Sequence, residues 1–101
     1  RFNAAVGLAR HGNLKAVPVL QEMLDPDNEA VIQGEPEGSY GFKRSVVMIN
    51  AIRAVDRLSE FHTTEELRPL LDALKALEDS EKIDSETRLI AKDAVRKITT
   101  K

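Results

Sequence analysis

The chain contains no cysteine and no tryptophan, and only one tyrosine and three phenylalanines in 101 residues. Lack of cysteine removes disulfides, thiolate metal ligands and cysteine nucleophiles together, and leaves the redox compartment unreported. His11 and His62 are the only histidines, each in a turn and far apart in sequence. A catalytic or metal centre needs convergent partners; His62 has Glu65 and Glu66 nearby but no cluster, so both histidines read as surface residues. There is also no excess of one charge: 15 basic residues stand against 17 acidic, for a net charge of -2. No overall field therefore draws the chain to nucleic acid or to an anionic membrane. No apolar run approaches the roughly 18 residues of a membrane span. Gly34, Gly38 and Gly41 lie among acids, the wrong charge for a phosphate loop, and Ser39, Ser45 and Ser59 lack nucleophile-elbow surroundings. The residues thus point to no catalytic group, no cofactor and no metal, and the chain reads as a non-enzyme.

What is present is helix. The stretch Lys43 to Leu58 carries Val47, Ala51, Ala54, Val55 and Leu58 on one face. Val46, Met48, Ile49 and Ile52 widen that face, leaving Asn50, Arg53 and Arg57 as a narrow polar stripe. A helix apolar over most of its circumference has neighbours on more than one side. Before it, Phe2 to Arg10 reads as a helix, His11-Gly12-Asn13 as a turn with Gly12 left-handed and Asn13 capping, and Leu14 to Leu24 as a second helix with Pro18 near its first turn. Residues 25 to 41 break the pattern with two prolines, three glycines, five carboxylates and no base. They predict a long acidic loop, with Ala30-Val31-Ile32 either pinning it to the core or forming a short strand. Tyr40 and Phe42 are expected to fold this loop against the central helix. Thr63 and Glu66 form a capping box before a helix over Glu65 to Leu77. A final helix over about 84–99, capped by Asp84 or Ser85, frays through Thr99, Thr100 and Lys101.

The segments repeat. Ala4 and Leu8 align with Ala51 and Val55 at an offset of 47 residues, and these with Ala91 and Val95 at an offset of 40; Pro18 aligns with Pro69. The organisation is one repeat domain: a hairpin at about 1–24, the loop at 25–41, a hairpin at about 42–78, and the last helix. Such a period belongs to stacked helical hairpins, each burying its apolar side on the next. The stretch RFNAAVGLARHGNLKAVPVLQEMLD, Arg1 to Asp25, with its Arg, paired Ala, Leu, turn Gly and early Pro, resembles the HEAT-repeat proteins, in particular the HEAT-like type named after phycobilisome lyases. The second copy departs from that pattern, with Met48 where Arg is usual and no Gly in its turn. The resemblance implies an all-α fold, an α-solenoid of about two and a half stacked hairpins, belonging to a longer array whose earlier repeats would precede Arg1. Family members act as scaffolds, adaptors, enzyme accessory subunits and occasionally DNA-binding enzymes, and fold alone does not choose among them. The paired His-Glu dipeptides of the iron-binding HEAT-like hydroxylases are missing, so that activity is not carried over.

Three surfaces could carry function. Asp25, Asp27 and Glu29 imitate the start of a calcium loop, but its sixth and twelfth positions hold Ala30 and Pro36, so a solvated acidic loop is the better reading, with a loop contacting a basic partner the minority one. Arg53 with Arg57, and Arg88 with Lys92 and Arg96, make two basic stripes that a partner could contact. Asp56, Glu86 and Asp93 lie close enough to neutralise them, and with so few aromatics nucleic acid is a weak expectation. Lys15, Glu22, Arg68 and Lys75 would mark a concave face formed by the second helices. The reading is a non-catalytic protein-interaction module with an unidentified protein partner. The alternatives are a lyase-like ligand-binding accessory subunit, or nucleic-acid binding through the stripes. Self-association is expected through exposed ends, at Ala4 and Leu8 on one side and Ile90 or Ile98 on the other. The cytoplasm is the default compartment, with export left open.

Overall fold

The computed structural model describes residues 1–100 and is built from five α-helices: α1 (Phe2–Arg10), α2 (Val17–Met23), α3 (Tyr40–Leu58), α4 (Arg68–Glu78) and α5 (Ser85–Thr99). No strand occurs among the described residues. The segment Ala30–Ile32 is instead part of a 3₁₀ turn, Glu29–Ile32, whose Val31 is only 3% exposed and pins the loop to the core.

α1 packs on α3 and α3 on α5, while α2 packs on α1, α3 and α4, and α4 lies closest to α5. The first, third and fifth helices run parallel. At their N-terminal ends Phe2 and Asn3 share a cavity with Val46, Val47 and Asn50, and Ser45 donates to Asp84. At their C-terminal ends Gly12 meets Phe61 and His62, and Thr64 donates to the Ile98 carbonyl. α3 is central: Val47, Met48, Ala51, Ile52, Ala54, Val55 and Leu58 are all buried, as a helix with neighbours on several sides requires. α4 buries Leu70, Leu71, Leu74 and Leu77 and turns Arg68, Asp72 and Lys75 outward. Each of those leucines contributes roughly 1.5–3 kcal/mol by leaving water.

Two helices start later than their pattern suggests, for one reason. The chain after Asn13 first makes a 3₁₀ turn, Leu14–Ala16, and only then α2, with Pro18 in its first turn. The capping box forms as expected, with Glu66 Oε1 accepting from the Thr63 backbone N–H at 3.0 Å and Thr63 Oγ1 accepting from Glu66 N–H at 3.2 Å. That box closes a separate turn, and α4 begins at Arg68 with Pro69 in its first turn. A helix from Glu65 would place Pro69 where its ring collides with the Glu65 carbonyl and its missing N–H leaves that carbonyl unpaired. Asp84, not Ser85, is the cap of α5, accepting from Thr87 N–H at 3.1 Å. At the other end of α5 the Thr99 and Thr100 hydroxyls donate back to carbonyls of Val95 and Arg96; Lys101 lies outside the described residues.

Two expectations fail. Phe42 does not hold the loop: it is 77% exposed at the start of α3, while Tyr40 alone borders Glu29, Ala30 and Ile32. α3 starts at Tyr40, and the roughly half turn of helix between the two residues carries Phe42 away from the loop side. Ile98 is fully buried, so it offers no end face; the exposed apolar residue of α5 is Leu89, at 66%. Ala4 is exposed, and Leu8 and Ile90 are half-buried.

Candidate partner-binding grooves

The five cations of the two stripes meet different fates. Arg88 does not face a partner. Its guanidinium donates to the carbonyls of Ser80 (2.9 Å) and Ile83, in the turn between α4 and α5, where no helix supplies a donor. Arg96 is paired with Asp93, and Arg57 with Glu60 at 2.7 Å. Lys92 is exposed. Arg53 is exposed and has no ion-pair or hydrogen-bond partner among the described residues. Of the second-helix residues, Arg68 pairs with Glu65 at 2.6 Å and Glu22 with Arg1.

Arg53 and Arg57 face a groove between α1 and α3, about 530 Å³ in volume. Its lining is Asn3, Val6 and Arg10 from α1 and Asn50, Arg53, Ala54 and Arg57 from α3. The two sets are related by the repeat offset: Asn3 and Arg10 stand 47 positions before Asn50 and Arg57. Because the two helices are parallel, this offset sets the asparagines side by side near one end and Arg10 beside Arg57 at the other. Arg10 and Arg57 lie in the last turns of their helices, where the C-terminal carbonyls favour a cation. The side chains of Asn3, Asn50, Arg10 and Arg53 make no hydrogen bond to another described residue. Three guanidiniums thus share the groove and one carboxylate, Glu60, engages one of them. Asn50 and the two stripe arginines were visible in the sequence; Asn3 and Arg10 were not singled out, although the 47-residue offset points to both.

A second groove lies between α3 and α5, lined by Arg53, Asp56, Glu86, Leu89, Ile90, Asp93 and Lys97. It neutralises itself. Lys97 sits 3.2 Å from Asp93 and 3.9 Å from Asp56. The hydrogen bonds from Arg96 and Lys97 hold the Asp93 carboxyl below its ordinary range. Burial pushes the Asp56 carboxyl up against the pull of Lys97, and its Oδ1 is buried without a hydrogen bond.

The acidic segment is tied down rather than free. Asp25 Oδ1 accepts from Asp27 N–H at 2.8 Å and Asn28 Oδ1 from Ala30 N–H at 3.0 Å, so both side chains close turns. Arg44 of α3 donates to the carbonyls of Asn28 (3.1 Å) and Asp25 (3.4 Å), and Lys82 pairs with Asp27 at 2.6 Å. These contacts occupy Asp25 and Asp27 of the three carboxylates that imitated a calcium loop, and Glu29 is exposed. Among the described residues no three His, Asp or Glu side chains gather as a metal would need, and no helix is long and apolar enough to cross a membrane.

His62 departs from the surface role expected of it; His11 is exposed. The His62 ring is 17% exposed and bridges two elements, with Nε2 2.6 Å from the Gly12 carbonyl and Nδ1 3.2 Å from Glu66 Oε2. The Thr63 amide, and then His62, hold the Glu66 carboxyl below its usual range. Gly12 has φ +74°, and a Cβ there would meet the Phe61 ring at 2.6 Å. Only glycine satisfies both demands. No family model, curated protein or solved structure matches the chain.

Proposed function

We propose that the chain is a non-catalytic protein-interaction module, a HEAT-like α-solenoid of about two and a half helical hairpins that holds a protein partner. The observation that supports this is the side-by-side parallel packing of α1 and α3 at the 47-residue sequence offset, with polar groups at matching positions turned outward, of which Arg57 alone is paired among the described residues. A repeat whose equivalent residues line one surface presents a continuous contact face, and an exposed row of arginine and asparagine binds better than it stabilises.

The experiment is site-directed photo-crosslinking in lysate of the source cells. A photoreactive residue is placed at Asn50 in the groove and, in a second protein, at Lys75 on the solvent face of α4. A defined protein captured through a salt wash from either position supports the reading. Recovery of nucleic acid or a pigment alone would replace it with one of the other two classes.

A further inference from the structure

The groove between α1 and α3 carries two kinds of polar group in two rows. Asn3 and Asn50 form one, Arg10 and Arg57 the other, and Arg53 stands between them on α3. Asparagine and arginine differ in what they satisfy. A side-chain amide both donates and accepts, whereas a guanidinium only donates and carries a fixed charge. A ligand that uses the whole groove must therefore present donors and acceptors along one line and anionic acceptors along another.

A DNA backbone does not meet that requirement, since it only accepts and would leave each asparagine Oδ1 unpaired. A helical peptide does not meet it either, because its own turns consume its backbone groups. An extended peptide does, with free N–H and C=O groups along the chain and carboxylates reaching sideways. The spacing agrees. Packed helices lie about 8–10 Å apart, and an extended chain advances about 3.3 Å per residue, so adjacent asparagines meet backbone groups about three residues apart. Along each helix the Asn-to-Arg step of seven residues is about 10 Å, within the combined reach of a glutamate and an arginine side chain.

Helix propensity adds to the case. Asn50 lies in mid-helix and is exposed, where asparagine is a poorer helix former than alanine and here makes no compensating bond. We infer that this groove takes an extended acidic segment of a partner polypeptide, with Asn3 and Asn50 bonding its backbone and Arg10, Arg53 and Arg57 pairing its Asp or Glu side chains. The inference rests on the reading of the chain as a protein-interaction module and names the chemistry of the partner.

The test measures binding of three fluorescent probes by anisotropy: a decapeptide of alternating Glu and Ala, the same peptide N-methylated on alternate amides, and decathymidylate. The Glu–Ala peptide should bind, and more tightly than decathymidylate. Arg10→Ala with Arg57→Ala should weaken it about tenfold, as for lost charge-assisted hydrogen bonds. Asn3→Ala with Asn50→Ala should weaken it about fivefold with no change in salt dependence, and N-methylation should cost little further in that variant. All four positions line the open groove, and each variant is compared at a melting temperature no lower than that of the parent protein. Equal or tighter binding of decathymidylate would overturn the inference, as would a Glu–Ala peptide that fails to bind or is indifferent to the variants. If the peptide fails while a protein is still crosslinked through Lys75, the inference falls and the interaction module stands. If only nucleic acid is recovered in both experiments, both fall.

Discussion

The two grooves flanking α3 are built from equivalent helix faces, yet only the first is left open for business with another molecule. Between α1 and α3 the cations Arg10 and Arg53 have no partner among the described residues, and Arg57 is engaged by Glu60. Between α3 and α5 the repeat-equivalent positions hold Ile90, Asp93 and Lys97, and the last two pair with each other at 3.2 Å. The same backbone arrangement thus gives a cationic channel once and a closed ion-pair surface once. The difference lies in a few side chains: Asp93 stands where α3 has Arg53, and Ile90 where α3 has Asn50. Architecture supplies the trough, and composition sets its charge.

The largest expected effect comes from breaking the first groove at its base. Gly12→Ala combines a left-handed residue with a Cβ on the Phe61 ring, and should cost about 2–3 kcal/mol in urea denaturation. Hydrogen exchange should then show α1 losing protection while α4 and α5 keep theirs. Adding Phe61→Ala should recover the part due to overlap.

Next is the tie at the head of the second groove. Asp84 caps α5 and accepts from Ser45 of α3 at 2.7 Å. Hydrogen bonds from Thr87 and Ser45 lower its carboxyl to about 2. A carboxylate depressed in the folded state stabilises above its unfolded pKa and loses that contribution as pH falls through the folded one. The urea midpoint should therefore drop between about pH 4 and pH 2. Asp84→Ala should cost about 1 kcal/mol at neutral pH and flatten the drop, solvent screening keeping the effect near a capping energy.

Asp93→Ala tests whether composition alone separates the grooves. It frees Arg96, leaves Lys97 only its 3.9 Å contact with Asp56 among the described residues, should leave the urea midpoint nearly unchanged, and should raise affinity for the Glu–Ala peptide about threefold. The smallest effect is the most diagnostic. Asn50→Ala should stabilise the fold by a few tenths of a kcal/mol while weakening peptide binding, so that stability and affinity move in opposite directions.

Helix positions were legible because they rest on local periodicity, as in the seven buried residues of α3. The starts of α2 and α4 were misplaced where Pro18 and Pro69 outweighed a good apolar pattern. Phe42 and Ile98 were misassigned because which side of a helix is covered depends on neighbours that periodicity does not name. The same holds for the cations. Arg53 and Arg57 were found as a stripe, but nothing local distinguishes them from Arg88, whose partners are carbonyls of a turn that forms only when α4 meets α5. Arg10 and Asn3 were within reach through the repeat offset.

The contact of Phe61 and His62 with Gly12 fastens the turn of the first hairpin to the segment after α3. At the opposite end Phe2 and Asn3 border a cavity of about 390 Å³, and the solvent-exposed pair of Arg1 and Glu22 joins α1 to α2 within the hairpin. α1 is thus held by a directed contact at the arginine end of the groove and by the buried Ala5 and Ala9 along its length.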